Sequence, residues 1–168
     1  MKSGVRKFIY FLFLCILSGI LLQCKKFTEY SVHHYASKGD TKAVLYHLDH
    51  GVNVNIQGEY GNTILYNAIN GFYDSIENKT GAQKEALRFE FVKILISRGA
   101  DINIPNDRGW TPLYISIMGG NIEIVKLLLE NGANIHVEVE GMSILRTASA
   151  HESIHPELTP ILDTIEDR

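Results

Sequence analysis

The chain has 168 residues, 45% of them hydrophobic, and its 16 Lys and Arg against 19 Asp and Glu give a formal net charge of −3. An acidic chain repels phosphate backbones, which argues against nucleic-acid binding and against a polybasic membrane patch. The sequence holds 2 cysteines, too few for a disulfide framework, so stability must come from buried apolar surface.

Residues 1–23 have the pattern of a secretory signal. Three cations within the first seven residues precede an uncharged apolar run of 15 residues from Phe8 to Leu22. A helix needs roughly 20 apolar residues to cross a bilayer, so export and cleavage are the better interpretation. Cleavage removes Cys15 and three cations, which takes the formal net charge from −3 to −6.

The end of this run places Leu21-Leu22-Gln23 before Cys24. The arrangement resembles a bacterial lipoprotein box, whose Cys is lipidated and becomes the new N-terminus. Gln23 departs from the small residue usual before that Cys, and the alternative is an ordinary signal peptide with Cys24 incidental. The resemblance implies a lipid-anchored protein of the bacterial cell envelope that faces the periplasm or the cell exterior, with one domain over 24–168.

The mature chain then divides into four helix-turn-helix units. Residues 27–57 form a degenerate first unit, in which Ala36 to Asp40 predicts the turn between two helices. Its closing pattern His50-Gly51-Val52-Asn53-Val54-Asn55 matches Asn131-Gly132-Ala133-Asn134-Ile135-His136. Terminal units of a stack are atypical because one face meets water, so this unit is expected to be the N-terminal cap.

The second unit, 58–105, carries an insertion. Thr63 and Thr111 occupy equivalent positions 48 residues apart, whereas Thr111 and Ser143 are 32 apart. The surplus lies near 74–88, between the two helices of the unit, with a predicted loop over 74–79. The spacing from Thr80 to Gln83 is that of a capping box and predicts a helix from about Gly81 to Arg98. The arm is either a dedicated contact or a tolerated surface insertion.

The third unit, 106–137, has the clearest pattern. Thr111 and Pro112 suit a helix start, Gly119-Gly120 a stop, and Asn131-Gly132 a left-handed cap after a second apolar run. Thr111-Pro112-Leu113-Tyr114-Ile115-Ser116 resembles the ankyrin-repeat signature Thr-Pro-Leu-His-x-Ala, with Tyr for His and Ser for Ala.

The fourth unit, 138–168, starts in register at Gly141 to Ala148 and ends in a shortened cap helix complicated by Pro156 and Pro160. The resemblance implies an all-α ankyrin-repeat solenoid of about four units joined by β-turn and hairpin loops. Because one helix pair cannot bury its apolar face alone, the units must stack.

A metal or catalytic site is the alternative of another class. His33, His34, His47 and His50 are the only cluster that suggests a metal ion, against solvated or packing histidines on a cap repeat. No phosphate-binding Gly-rich loop, His-Glu-x-x-His helix or nucleophile elbow is present. We therefore expect no enzyme and no cofactor.

The resemblance implies that the turn tips and first helices recognise another protein. The expected contact residues are Glu59, Tyr60, Asn62, Asp107, Arg108, Trp110, Met118, Val139, Glu140 and Met142. Trp110 is either an interface anchor or a local staple folded over the next turn. The expected function is protein binding by a monomer, and the alternative is a periplasmic inhibitor, immunity protein or protective partner of an enzyme.

Overall fold

The computed structural model describes residues 28–71, 79–139, 141–144, 146, 156 and 160–161. Its elements in chain order are α1 (28–38), α2 (Thr41–Asp49), a 3-10 turn (Glu59–Gly61), α3 (Ile64–Asn70), α4 (Gly81–Ser97), α5 (Pro112–Met118), α6 (Ile122–Glu130), β1 (Glu138–Val139) and β2 (Met142–Ser143). The strands form a small antiparallel hairpin. This mostly helical architecture confirms the expected all-α solenoid.

A threonine begins each of α3, α4 and α5. Thr63, Thr80 and Thr111 accept hydrogen bonds through Oγ1 from the amides three residues later, at 3.1, 3.3 and 3.2 Å. At Thr80 the bond is reciprocal, because Gln83 Oε1 accepts from the Thr80 amide at 3.0 Å. Each cap is worth about 1 kcal/mol by satisfying an N–H that the helix leaves free. The predicted starts at Pro112 and Gly81 are confirmed.

Two glycines end helices by different means. Gly132 has φ of +87°, and the amides of Gly132 and Ala133 donate to Leu129 and Leu128 carbonyls at 3.0 and 2.9 Å, as the predicted left-handed cap requires. Gly71 ends α3 against the first unit. A Cβ there would collide with the Ser37 carbonyl and lie 2.7 Å from the Asn67 carbonyl, so only glycine allows this approach.

The core runs between the units. Helix α3 packs on α4 of its own unit and on α5 of the next, and α4 packs on α6. The fully buried side chains at these contacts include Ile64, Leu65 and Ile69 of α3, Phe91 and Leu95 of α4, Leu113 and Ile117 of α5, and Leu128 of α6. Val32, Ala36 and Val44 extend this core into the first unit. None of the Leu128 side chain is exposed, so this face of α6 lies in the core.

Asparagines fix the spacing between successive closing turns. Asn55 Nδ2 donates to the Gly99 carbonyl at 3.3 Å, and Asn55 Oδ1 accepts from the Asp101 amide at 2.7 Å. Asn103 repeats this pattern one unit later, toward Gly132 at 3.4 Å and Asn134 at 2.9 Å. Each residue uses both ends of its amide, so the loops are held in register by side-chain bonds as well as by the core.

Several expectations lie outside the described residues. They are the signal over 1–23, Cys24, the loop over 74–78, Glu140 and the end of the C-terminal cap helix beyond Ile161. Within 28–71 and 79–139, no helix is both long and apolar enough to span a bilayer.

Candidate functional site

The loop tips Glu59–Asn62 and Asp107–Trp110, together with Val139, Gly141 and Met142 of the third tip, are called here the turn edge. Each tip lies in a hairpin-like loop. The first is closed by the Gln57–Thr63 bridge, the second by the Asn106 amide donating to the Trp110 carbonyl at 3.0 Å, and the third by the β1–β2 pair. These loops precede the capped helices, so rigid elements set their positions.

Tyr60 is the most exposed large hydrophobic side chain among the described residues, at 71%. Its backbone has φ of +60°, the single described non-glycine residue with positive φ. A Cβ in this region is strained, and Gly or Asn would occupy it at lower cost. Strained backbone persists where surrounding structure holds it, and it concentrates at functional sites. Tyr60 is therefore presented to solvent at a conformational cost.

The first and second tips are joined directly. The Asp107 amide donates to the Tyr60 carbonyl at 3.0 Å, and Asn106 Nδ2 donates to Asn62 Oδ1 at 2.9 Å. Gln57 Nε2 bridges the Gly61 and Pro105 carbonyls at 2.7 and 3.1 Å. These bonds hold the strained Tyr60 in place. They also direct the side chain of Asn62, a predicted contact residue, toward Asn106 beside the second tip.

Trp110 packs inward more than the other predicted aromatic. Its ring is half-buried against the core, 5.6 Å from the Tyr114 ring by centroids, and the Arg108 guanidinium carbon lies 5.1 Å from its centroid. The Arg108 cation also lies near Tyr66, whose hydroxyl has its pKa raised by burial, an effect that Arg108 partly opposes. Trp110 therefore packs partly against Tyr114 of α5, with the Arg108 cation over its ring.

The third tip divides its residues between core and surface. Met142 is 37% exposed and pairs across the hairpin with Val139, which is 1% exposed. The structure corrects the prediction that Val139 is a contact residue, because its side chain is buried and offers no surface to a partner. Glu59, Asp107 and Met118 remain exposed, Met118 at 40% on α5.

A groove of about 710 Å³ opens beside Tyr60, between α1 and the first loop. Its lining includes Glu29, Tyr30, His33, Glu59, Tyr60 and Asn67. Tyr30 is 60% exposed, so an exposed tyrosine stands on either side. The sequence did not single out this groove, although it named Glu59 and Tyr60 on its rim.

His33 forms the wall of the groove. It is 8% exposed, and a Cβ on Gly58 would lie 2.5 to 2.9 Å from three of its ring atoms, so the glycine admits the ring. Its Nδ1 lies 3.0 Å from Asn67 Nδ2. An amide nitrogen only donates, so Nδ1 accepts and the neutral ring carries its proton on Nε2. That buried Nε2 has no hydrogen-bond partner among the described residues.

The other histidines of the predicted cluster contact aromatic rings, and His34, which also lines the groove, stacks on Tyr30 at 6.4 Å. His47 stacks on Tyr35 at 5.7 Å, and His50 stacks on Tyr46 at 4.0 Å while its Nδ1 bonds the Tyr46 carbonyl at 2.7 Å. Within the described ranges, no group of three or more His, Cys, Asp or Glu is arranged to hold a metal ion. Aromatic packing thus accounts for His47 and His50.

The titration of His33 leads to a stability prediction. Burial lowers the His33 pKa below 6.5, with Glu29 opposing the shift. As the pH falls, the unfolded chain therefore binds this proton before the folded chain does. The free energy that the neutral His33 contributes to folding is present above about pH 6.5, and it is lost as the pH falls through the pKa of His33 in the folded protein. Between pH 7.5 and pH 5 we expect the thermal midpoint to fall.

The measurement is the midpoint against pH for the wild type, His33→Gln and His34→Gln. His33→Gln should flatten the fall, whereas His34→Gln, at an exposed neighbouring position, should leave the slope unchanged. Equal slopes for the wild type and His33→Gln would contradict a buried neutral His33.

The inserted arm is anchored by one arginine. Arg88 of α4 bonds Glu85 at 2.7 Å, Asn121 Oδ1 at 3.2 Å and the Gly71 carbonyl at 3.0 Å. It therefore links α4 to the end of α3 and to the start of α6. A second cavity of about 530 Å³ lies beside it, lined by residues of α4 and of the α5–α6 turn. The arm is attached to the repeats on the helix side, away from the loop tips.

Comparison with known proteins finds sequence similarity to ankyrin-repeat proteins. A family model described as ankyrin repeats, in three copies, matches residues 81–160. An ankyrin repeat protein of Rickettsia felis is 32% identical over 121 residues, which are 69% of this chain and 34% of that protein. Human transient receptor potential cation channel subfamily A member 1 is 30% identical over 132 residues, 72% of this chain and 10% of the channel. The chain thus spans about a third or less of the length of these relatives.

Proposed function

The chain carries ankyrin repeats, and from this premise we propose that it binds another protein through its turn edge, without catalytic turnover. Such repeats generally serve as interaction modules, and adjacent loops in a stack present a continuous surface. Tyr60 is the observation that carries the proposal. An aromatic 71% exposed, held at φ of +60° by bonds from the next loop, has no packing role to explain its cost.

The chemistry of the edge fits a protein partner. Tyrosine and arginine are enriched among residues that dominate binding energy, and the rim around them is polar. The side chains available at the edge are Tyr60 and Met142 as apolar contacts, with Glu59, Asp107 and Arg108 as charged ones. The asparagine and glutamine bonds between loops preorganise this surface, which lowers the entropy lost on binding.

Affinity capture with the tagged full chain, from membranes of its native cell, tests the proposal. One protein in stoichiometric amount is expected with the wild type, and less of it with Tyr60→Ala. Capture that is equal for both proteins would contradict a role for the turn edge.

For the location of the protein we propose export and a lipid anchor on Cys24 in a bacterial envelope. The support is the cationic start, the apolar run from Phe8 to Leu22 and the Cys at its end. The first predicted unit begins about three residues after Cys24, a reach of roughly 10 Å, so the repeats would lie close to the membrane.

Cys24→Ala tests this location. The variant should leave the detergent phase for the soluble exported fraction, or accumulate as an uncleaved precursor, because the acylated thiol is lost. Phase partitioning of the wild type and the variant measures the change. Unchanged partitioning with normal processing would show that Cys24 is not the anchor.

A further inference from the structure

We propose that the groove between α1 and the first loop binds a lysine or arginine side chain of the partner protein. The inference rests on the proposed function and deepens it, because it assigns a chemical class to the part of the partner that lies next to Tyr60. Two independent features of the groove support it: its charge and its aromatic walls.

The charge of the lining is acidic. Glu29 and Glu59 are among the residues that line the groove, and none of the described lining residues is Lys or Arg. An anionic ligand would be repelled from this surface, whereas a cation would be attracted by both carboxylates. The charge therefore selects a cationic group.

The aromatic walls suit the same group. Tyr30 is 60% exposed and Tyr60 is 71% exposed, and both line the groove. A guanidinium or ammonium group over a tyrosine face is attracted by the ring quadrupole, and arginine makes this contact most often. Two exposed tyrosines beside two carboxylates thus favour a basic side chain over a neutral one.

His33 forms part of the wall but is closed to solvent. It is 8% exposed, and its Nε2 is buried where a Cβ on Gly58 would lie 2.8 Å away. The accessible chemistry of the groove is therefore that of its carboxylates and its two tyrosine rings, which favour a basic side chain of the partner.

The test uses the full chain in detergent, labelled with nitrogen-15, and the peptide acetyl-Ala-Arg-Ala-Arg-Ala-amide. Titration should give saturable shifts of the His33 ring nitrogens and of the Gly58 and Tyr60 amides. A matched peptide with citrulline for arginine keeps the shape and loses the charge. It should bind more weakly by a factor of about five or greater.

Two variants distinguish binding in the groove from a general electrostatic attraction of the basic peptide to an acidic protein. Glu59→Gln should weaken the arginine peptide by about threefold to fivefold, and Glu130→Gln, at an exposed carboxylate on α6, should not. Shifts that are absent, that spread away from His33, or that are equal for arginine and citrulline would overturn the proposal. If the peptide does not bind but capture of a protein still depends on Tyr60, only the groove proposal is overturned. If no protein is captured at all, the proposed function is overturned.

Discussion

Replacing Tyr60 by Ala is expected to weaken capture of the partner protein by about 2 kcal/mol or more, roughly 30-fold in Kd, as for an interface anchor. The thermal midpoint should stay nearly unchanged. The side chain is 71% exposed, so it contributes little to packing. Both Tyr and Ala have a Cβ, so the strain of the +60° φ is the same in the two proteins.

Trp110→Ala is the matched comparison for Tyr60→Ala. Trp110 packs against Tyr114 and the core, so its removal should lower the midpoint by several degrees. Titration calorimetry with the captured partner, together with thermal unfolding of both variants, gives the two readouts. A lower midpoint for Tyr60→Ala with unchanged affinity would assign Tyr60 to folding and remove it from the contact.

Leu128→Ala should destabilise the fold by about 2–5 kcal/mol, a large part of the margin of a small domain. Leu128 is fully buried in α6, which packs on α4 and α5. In a stack each unit is stabilised chiefly by its neighbours, so a cavity here weakens two interfaces at once.

Urea unfolding monitored by circular dichroism measures this effect. Glu130→Ala, at an exposed position two residues further along α6, is the control and should stay within about half a kcal/mol of the wild type. A loss of that small size for Leu128→Ala would mean that α6 presents another face to the core.

The helices could be predicted from the sequence because local chemistry decides where they begin and end. Thr111 with Pro112, Thr80 with Gln83 and the glycine after Asn131 each act within a few residues. The 48 residues from Thr63 to Thr111, equivalent positions in successive units, predict the insertion in the second unit. The tertiary stack then follows from apolar faces that a single unit cannot bury.

The groove could not be predicted in the same way because it depends on contacts between units. His33 lies 34 positions from Asn67, and the close packing of its ring depends on Gly58 in the loop between them. In the sequence, His33 stands out only as one of the four histidines that suggest a metal site. Likewise, Val139 is predicted as a contact residue from its place at a turn tip, and that place alone does not show that the side chain is buried.

Site-directed photo-crosslinking in the native cell is the most direct test of binding through the turn edge. A benzophenone amino acid is placed at Tyr60 or Met142 on the edge, or at Lys93, an exposed residue of α4. Protein binding at the turn edge predicts one crosslinked protein, the same for positions 60 and 142, and none for position 93. Crosslinks to a partner from position 93, with none from positions 60 and 142, would contradict it and would place the contact on α4.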